Sequence, residues 1–286
     1  MYKLFFASLV FLANTAPLLA QSPWTYAKGG GYAQAGYNMI VPTRVLFYDN
    51  TAIKYTNRKV YDNNIQGFGD YGITDNFNIS MMANVKYVAT GEVVAVDNEV
   101  VAAERPPALI LPAGKKWGFG NGYYGLKYKL YDKGWVVSGN FTLMTPVAAN
   151  PVANGLETGF DCWGFAPSVS VGNGGAKWYA YANAGANFRT GAFSHEWAAT
   201  GEYGYKIKSA YIIANIHARY SLNNQPALEF LHTGLGVNQQ NYLALGLKAF
   251  IPFNKNWGLN VSAFGALLGN NVQAAPSFGM SVFYKW

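Results

Sequence analysis

Apolar and polar residues alternate along most of this chain with a period of two, the repeat of a strand that has two different faces. The clearest run is FNISMMANVKYVA at 77–89. Phe77, Ile79, Met81, Ala83, Val85, Tyr87 and Ala89 fall on one face, and Asn78, Ser80, Asn84 and Lys86 on the other. WVVSGNFTLMT at 135–145 and KWYAYANAGANFR at 177–189 repeat the pattern. Read this way, the chain holds about twelve strands, at roughly 29–41, 59–71, 77–89, 118–130, 135–145, 160–171, 177–189, 196–206, 210–220, 241–251, 257–267 and 276–286. Most exceed the roughly five or six residues of a globular strand. They match the roughly nine to eleven that a tilted strand needs to cross a bilayer.

The connections between these strands alternate in length. Long segments at 42–58, 90–117, 146–159 and 221–240 are interleaved with GITDN, YDKG, GNGGA, IKS and PFNKN, and 190–195 is a modest member of the long set. Outer-membrane barrels have this asymmetry, with short periplasmic turns and longer surface loops. The expected fold is therefore all-β: a transmembrane antiparallel β-barrel of about twelve strands, both termini on the periplasmic side. Trp135, Trp178, Trp257 and Trp286 all lie beside short turns or at the chain end, as an interfacial aromatic girdle requires.

Composition agrees with this picture. Aromatic residues make up 16% and charged residues 12%, against about 25% charged in a soluble domain. After residue 20 no apolar run is long enough for a spanning helix. Before it, Lys3, the apolar LFFASLVFLA and the small-residue end of APLLA read as a cleaved signal peptide, 1–20, leaving 21–286 as a single barrel domain. The net charge of +7 comes from scattered basic residues, so nucleic acid is not an expected partner. The expected partners are outer-membrane lipids and lipopolysaccharide, the barrel-assembly machinery and a small-molecule solute. Cys162 is the lone cysteine, which excludes an internal disulfide.

Charge placement follows the alternation. Lys86, Lys127, Lys129, Arg189, Arg219, Lys248 and Lys285, with Asp70, Glu202 and His217, fall on the face that would line the lumen, and Glu196 at its rim. Tyr179 and Tyr181 share that face. The excess of cations predicts a mild preference for anions if the lumen is open; a packed interior of structural ion pairs is the alternative.

Catalytic and metal-binding patterns are scarce, and no cofactor is expected. None of the three histidines has a serine two residues away on the same strand face. His217 is followed at that spacing by Arg219, Ser194 is the immediate neighbour of His195, and His232 falls in a long loop. A lipid-modifying hydrolase is therefore the least favoured class. Asp49 and Asp62, among the asparagines of 48–64, read as a solvated loop rather than a calcium site. In the loop 91–117, Asp97-Asn98 suits a hairpin turn, and ALILP at 108–112 offers an apolar contact over the mouth; an extension of the strands above the membrane is the alternative.

The chain ends SFGMSVFYKW. Phe278, Met280, Val282, Tyr284 and Trp286 resemble the assembly signal of bacterial outer-membrane proteins, with Trp at the terminal position. GDYGITDNFNIS at 69–80, WTYAKGGGYAQAGY at 24–37 and LETGFDCWGFAPSVSVG at 156–172 are similar to a group of barrels linked to phenol degradation by the meta-cleavage pathway, which includes the XagA-like proteins of Bacteroidetes. That resemblance implies permeation or uptake of small molecules, apolar or aromatic ones among them. The competing expectation is a non-transport surface protein serving adhesion, matrix assembly or scaffolding.

Overall fold

Alternation of the kind seen at 77–89 ends only where the chain must turn, so the strands are long. The computed structural model of the chain describes residues 22–92, 113–147, 156–224 and 238–286. The strands are β1 (Gly31–Asp49), β2 (Ala52–Thr74), β3 (Phe77–Thr90), β4 (Gly114–Phe119), β5 (Tyr123–Lys133), β6 (Trp135–Met144) and β7 (Gly164–Gly174). They continue as β8 (Trp178–Arg189), β9 (Glu196–Ile207), β10 (Ala210–Ser221), β11 (Asn241–Pro252), β12 (Trp257–Asn270), the short β13 (Val272–Gln273) and β14 (Ser277–Lys285).

Every pairing is antiparallel, and β1 pairs with both β2 and β14, so the sheet closes. The seam runs from Tyr32↔Lys285 to Ile40↔Ser277. β4 and β5 form one crossing strand, interrupted at 120–122, that lies along β3. The result is a closed antiparallel barrel of twelve crossing strands. Closure leaves no edge, and an edge is what hydrocarbon would not tolerate.

The outer wall is apolar at mid-height, with exposed Ile65, Met81, Leu126, Phe141, Val169, Ile216, Leu247 and Met280. Exposed rings border it at both ends. Trp135, Trp178, Tyr205, Trp257 and Trp286 lie at the short-turn end, and Trp117, Trp163, Phe188, Trp197 and Tyr220 at the other. Two such rims around an apolar band are the outline of a membrane-spanning barrel.

Three expected boundaries are corrected. Segment 42–58 is not a loop: β1 runs to Asp49 and β2 resumes at Ala52, around a turn at Asn50 with φ of 50°. Val41, Thr43, Val45 and Phe47 continue the alternation, and the register shift between Ile40 and Thr43 accommodates Pro42, which has no N–H to give. Asp62 therefore belongs to the wall and not to a solvated loop. Second, β4 begins at Gly114, inside the expected loop 91–117. Third, β7 begins at Gly164 rather than at 160, because 156–163 folds inward ahead of it. The signal peptide, the Asp97-Asn98 hairpin, 108–112 and His232 lie outside the described residues.

Candidate functional site: the barrel lumen

Inward positions on adjacent and next-but-one strands bring acids and bases together in pairs. Lys86 Nζ lies 2.8 Å from Asp62 Oδ2, and Lys127 Nζ 3.5 Å from Asp70 Oδ2. Lys248 Nζ lies 2.8 Å from Glu202 Oε2, while Tyr179 Oη donates to Glu202 Oε1 at 2.7 Å. Glu196 sits between two arginines, 3.1 Å from Arg189 Nη2 and 3.7 Å from Arg219 Nη1. All of these except Lys86 are nearly fully buried. His217 Nδ1 meets Thr200 Oγ1 at 3.1 Å, and its ring stacks on Tyr242. The hydroxyl bonded to this imidazole is thus a threonine's, met across strands β9 and β10.

The short-turn end is floored by rings. Tyr32, Phe283, Phe250, Tyr211 and Tyr179 follow one another around the wall at centroid separations of 4.2–6.5 Å. Gly204 makes room for the Tyr179 ring, because any side chain there would collide with it.

Into this floor runs the segment that precedes β1. Trp24 packs edge-on against Tyr179 and Tyr181, at 5.8 and 6.0 Å. Ser138 Oγ donates to the Pro23 carbonyl, and Lys127 Nζ to that of Trp24 at 3.2 Å. Tyr26 N donates to Asn78 Oδ1 at 3.2 Å, and Lys28 N to Asp75 Oδ1 at 2.9 Å. Gly172 lets the chain pass, since a Cβ there would stand 2.7 Å from Pro23 Cγ. Residues 22–28 therefore enter the lumen from the short-turn end and lie along β3 and β5–β8. Nothing in the hydropathy pattern marked this segment. The available hints were Trp24 and Tyr26, two residues apart ahead of Gly29–Gly31.

The long-loop end is drawn inward by two asparagines that sequence reasoning did not single out. Asn121 Nδ2 donates to the carbonyls of Thr145 and Phe160, each at 2.7 Å, and its Oδ1 accepts from Phe160 N at 2.8 Å. Asn238 Oδ1 accepts from Ser194 N at 2.7 Å, while its carbonyl takes Arg189 Nη2 at 2.8 Å. Phe160 and Phe193 flank the Arg189 guanidinium. Burial pushes the Cys162 thiol up to about 12, against a smaller opposing pull from Arg189. The described residues contain no group of three His, Cys, Asp or Glu able to hold a metal.

Phe278, Met280, Val282 and Trp286 project outward and Tyr284 is half-buried, so these side chains belong to the wall rather than to the lumen. Trp286 also exchanges backbone hydrogen bonds with Gly31 at the seam, at 3.2 and 3.3 Å.

Solved structures share the architecture. An outer membrane channel from Pseudomonas putida F1 matches with a TM-score of 0.67 at 13% identity, over 92% of this chain and 97% of that one. A deletion mutant of TodX, a monoaromatic hydrocarbon channel, matches at 0.50 and 10% identity, over 98% and 96%. The translocator domain of the autotransporter NalP from Neisseria meningitidis matches at 0.51 and 12%, over 90% and 88%. At these identities the likeness fixes the fold alone, which is that of an outer-membrane β-barrel. No curated protein sequence matches it. Residues 49–278 match the family described as "Putative MetA-pathway of phenol degradation", and the chain belongs to that family.

Proposed function

We propose that this barrel is an outer-membrane channel for the uptake of small molecules, apolar and aromatic solutes among them. The observation that carries the reading is how the lumen is closed. A barrel of about eight strands is just filled by its own wall side chains, and a wider one leaves an interior for something else to occupy. Here a separate segment, residues 22–28, lies within the wall and is held by side chains of β3, β5 and β6. A stopper distinct from the wall implies a passage to be stopped. The aromatic floor around Trp24 suits apolar rings better than hydrated ions.

Removal of the signal peptide, 1–20, would leave residue 22 close to the new N-terminus. The short turns and both termini then face the periplasm, with lipopolysaccharide around the outer half of the wall. The C-terminal pattern ending at Trp286 is what the barrel-assembly machinery would read. The barrel is not an enzyme in this reading, and hydrolysis of lipid by the refolded protein would contradict that.

The test is conductance in planar bilayers, for the mature chain and for a variant lacking residues 22–28. The mature chain should conduct weakly and the deletion variant several-fold more. Two equally silent proteins, neither of which speeds uptake of an aromatic solute into cells, would overturn the proposal. A surface scaffold is then the second reading. It is favoured by the β1–β2 hairpin, which extends past the end of the β14 pairing at Ile40.

A further inference from the structure

We propose that Asn140 and Asn183 form a hydrogen-bond-accepting subsite in the lumen for the hydroxyl group of a small neutral aromatic solute. Asn140 on β6 and Asn183 on β8 stand on either side of β7, whose Ser168 and Ser170 face them. Asn140 Nδ2 donates to Ser170 Oγ at 2.8 Å. Asn183 Nδ2 donates to Ser170 Oγ at 2.8 Å and to Ser168 Oγ at 3.1 Å. Both amides are thus turned with their nitrogens on the wall. Among the described residues the two Oδ1 atoms have no partner, although Asn140 is 9% and Asn183 2% exposed. A buried unpaired acceptor is costly, so two in one cluster leave the lumen wall short of donors at this level.

The surroundings select which donor fits. The nearest wall cation in register, Lys127 beside Asn140, is engaged with Asp70 and with the Trp24 carbonyl. Two bare acceptors repel an anion, which excludes carboxylates and phenolates. They accept a neutral O–H. On the short-turn side the cluster borders ring surface: Tyr181 is two residues before Asn183 on the same face, and Trp24 lies edge-on to it. A solute with a hydroxyl on an aromatic ring can use both surfaces together, whereas water uses the acceptors and a hydrocarbon the rings alone. Ser138, two residues before Asn140, holds Pro23, so solute at this subsite and the segment 22–28 contend for the same stretch of wall.

The subsite rests on the uptake reading, and one experiment separates the two. The refolded mature chain in detergent is titrated calorimetrically with phenol, anisole and toluene against matched empty micelles at neutral pH, where phenol stays protonated. One net neutral hydrogen bond corresponds to about fivefold in affinity. Phenol should therefore bind the wild-type chain about fivefold more tightly than anisole. In N140L/N183L the two should bind alike. A wild-type chain with no preference for phenol, or a variant that keeps the preference, overturns the subsite while leaving uptake standing. Failure to bind any of the three solutes overturns both. If the double variant does not fold, the wild-type ratio decides, and N183S, which keeps a small polar group, should reduce it.

Discussion

Glu202 offers the sharpest test of how the lumen is held together. Its carboxylate meets Lys248 at 2.8 Å and accepts from Tyr179 at 2.7 Å, and the two charged side chains are 3% and 0% exposed. Glu202→Gln keeps the shape and an oxygen for Tyr179, and removes only the charge. The Lys248 ammonium then remains buried without its counterion, which costs about 3–5 kcal/mol. The double variant E202Q/K248M removes the stranded charge, and a buried pair replaced by apolar groups is often close to neutral. The double variant should therefore be more stable than E202Q alone. Urea unfolding of the barrel in lipid vesicles, followed by tryptophan fluorescence, measures both. An E202Q barrel within about 1 kcal/mol of wild type, or a double variant weaker than the single one, would refute a charge-locked interior.

Three further outcomes follow from the wall and the mouth. Val169 projects outward from the middle of β7 at 55% exposure, so Val169→Arg should cost about 2–4 kcal/mol of folding stability in lipid vesicles; an unchanged stability would mean that this face does not see hydrocarbon. Cys162 is buried and its thiol is raised to about 12, so it should resist maleimide at pH 8 in the folded barrel and react on unfolding. Its folded pKa lies above its unfolded value, so the stability it contributes is fully present below that value and lost as pH rises toward about 12; prompt labelling of the folded protein would contradict this. Trp286→Asp, which places a charge beside Tyr284 and the β1 seam, should lower the yield of inserted barrel in cells, and normal insertion would count against the role of the terminal pattern.

The strands and the face each side chain takes were legible because a barrel wall has one rule, lipid outside and lumen inside, repeated at every second residue. That rule placed Lys127, Glu202 and Arg219 on one side and Val282 and Met280 on the other from local sequence alone. It also extended further than the expected loops allowed, since Val41 to Phe47 kept alternating past Pro42 and built a taller hairpin. What sits within the wall obeys no such period. Residues 22–28 are irregular, and their position depends on partners far away in sequence, such as Ser138 for Pro23 and Lys127 for Trp24. Asn121 and Asn238 are similar. Each is an ordinary loop residue until its carboxamide is seen holding strands and loops 24 to 49 residues away.

The pairing of the inward charges changes what the excess of basic residues means. Counting the clusters described above, four acids (Asp62, Asp70, Glu196, Glu202) face five bases (Lys86, Lys127, Arg189, Arg219, Lys248). These clusters are therefore nearly neutral, and their one surplus cation belongs to the Arg189–Glu196–Arg219 cluster at the long-loop end. An anion entering there would have to displace guanidinium contacts to Glu196, Ser194 and Asn238 that also hold the mouth in shape. Selectivity by fixed charge would thus come at the expense of the fold. Discrimination by ring surface and by the proposed acceptors does not, because none of Trp24, Tyr181, Asn140 and Asn183 belongs to an ion pair described above. In the uptake reading proposed above, this lumen favours a neutral solute over a charged one, and it does so from the residues least visible in the charge pattern.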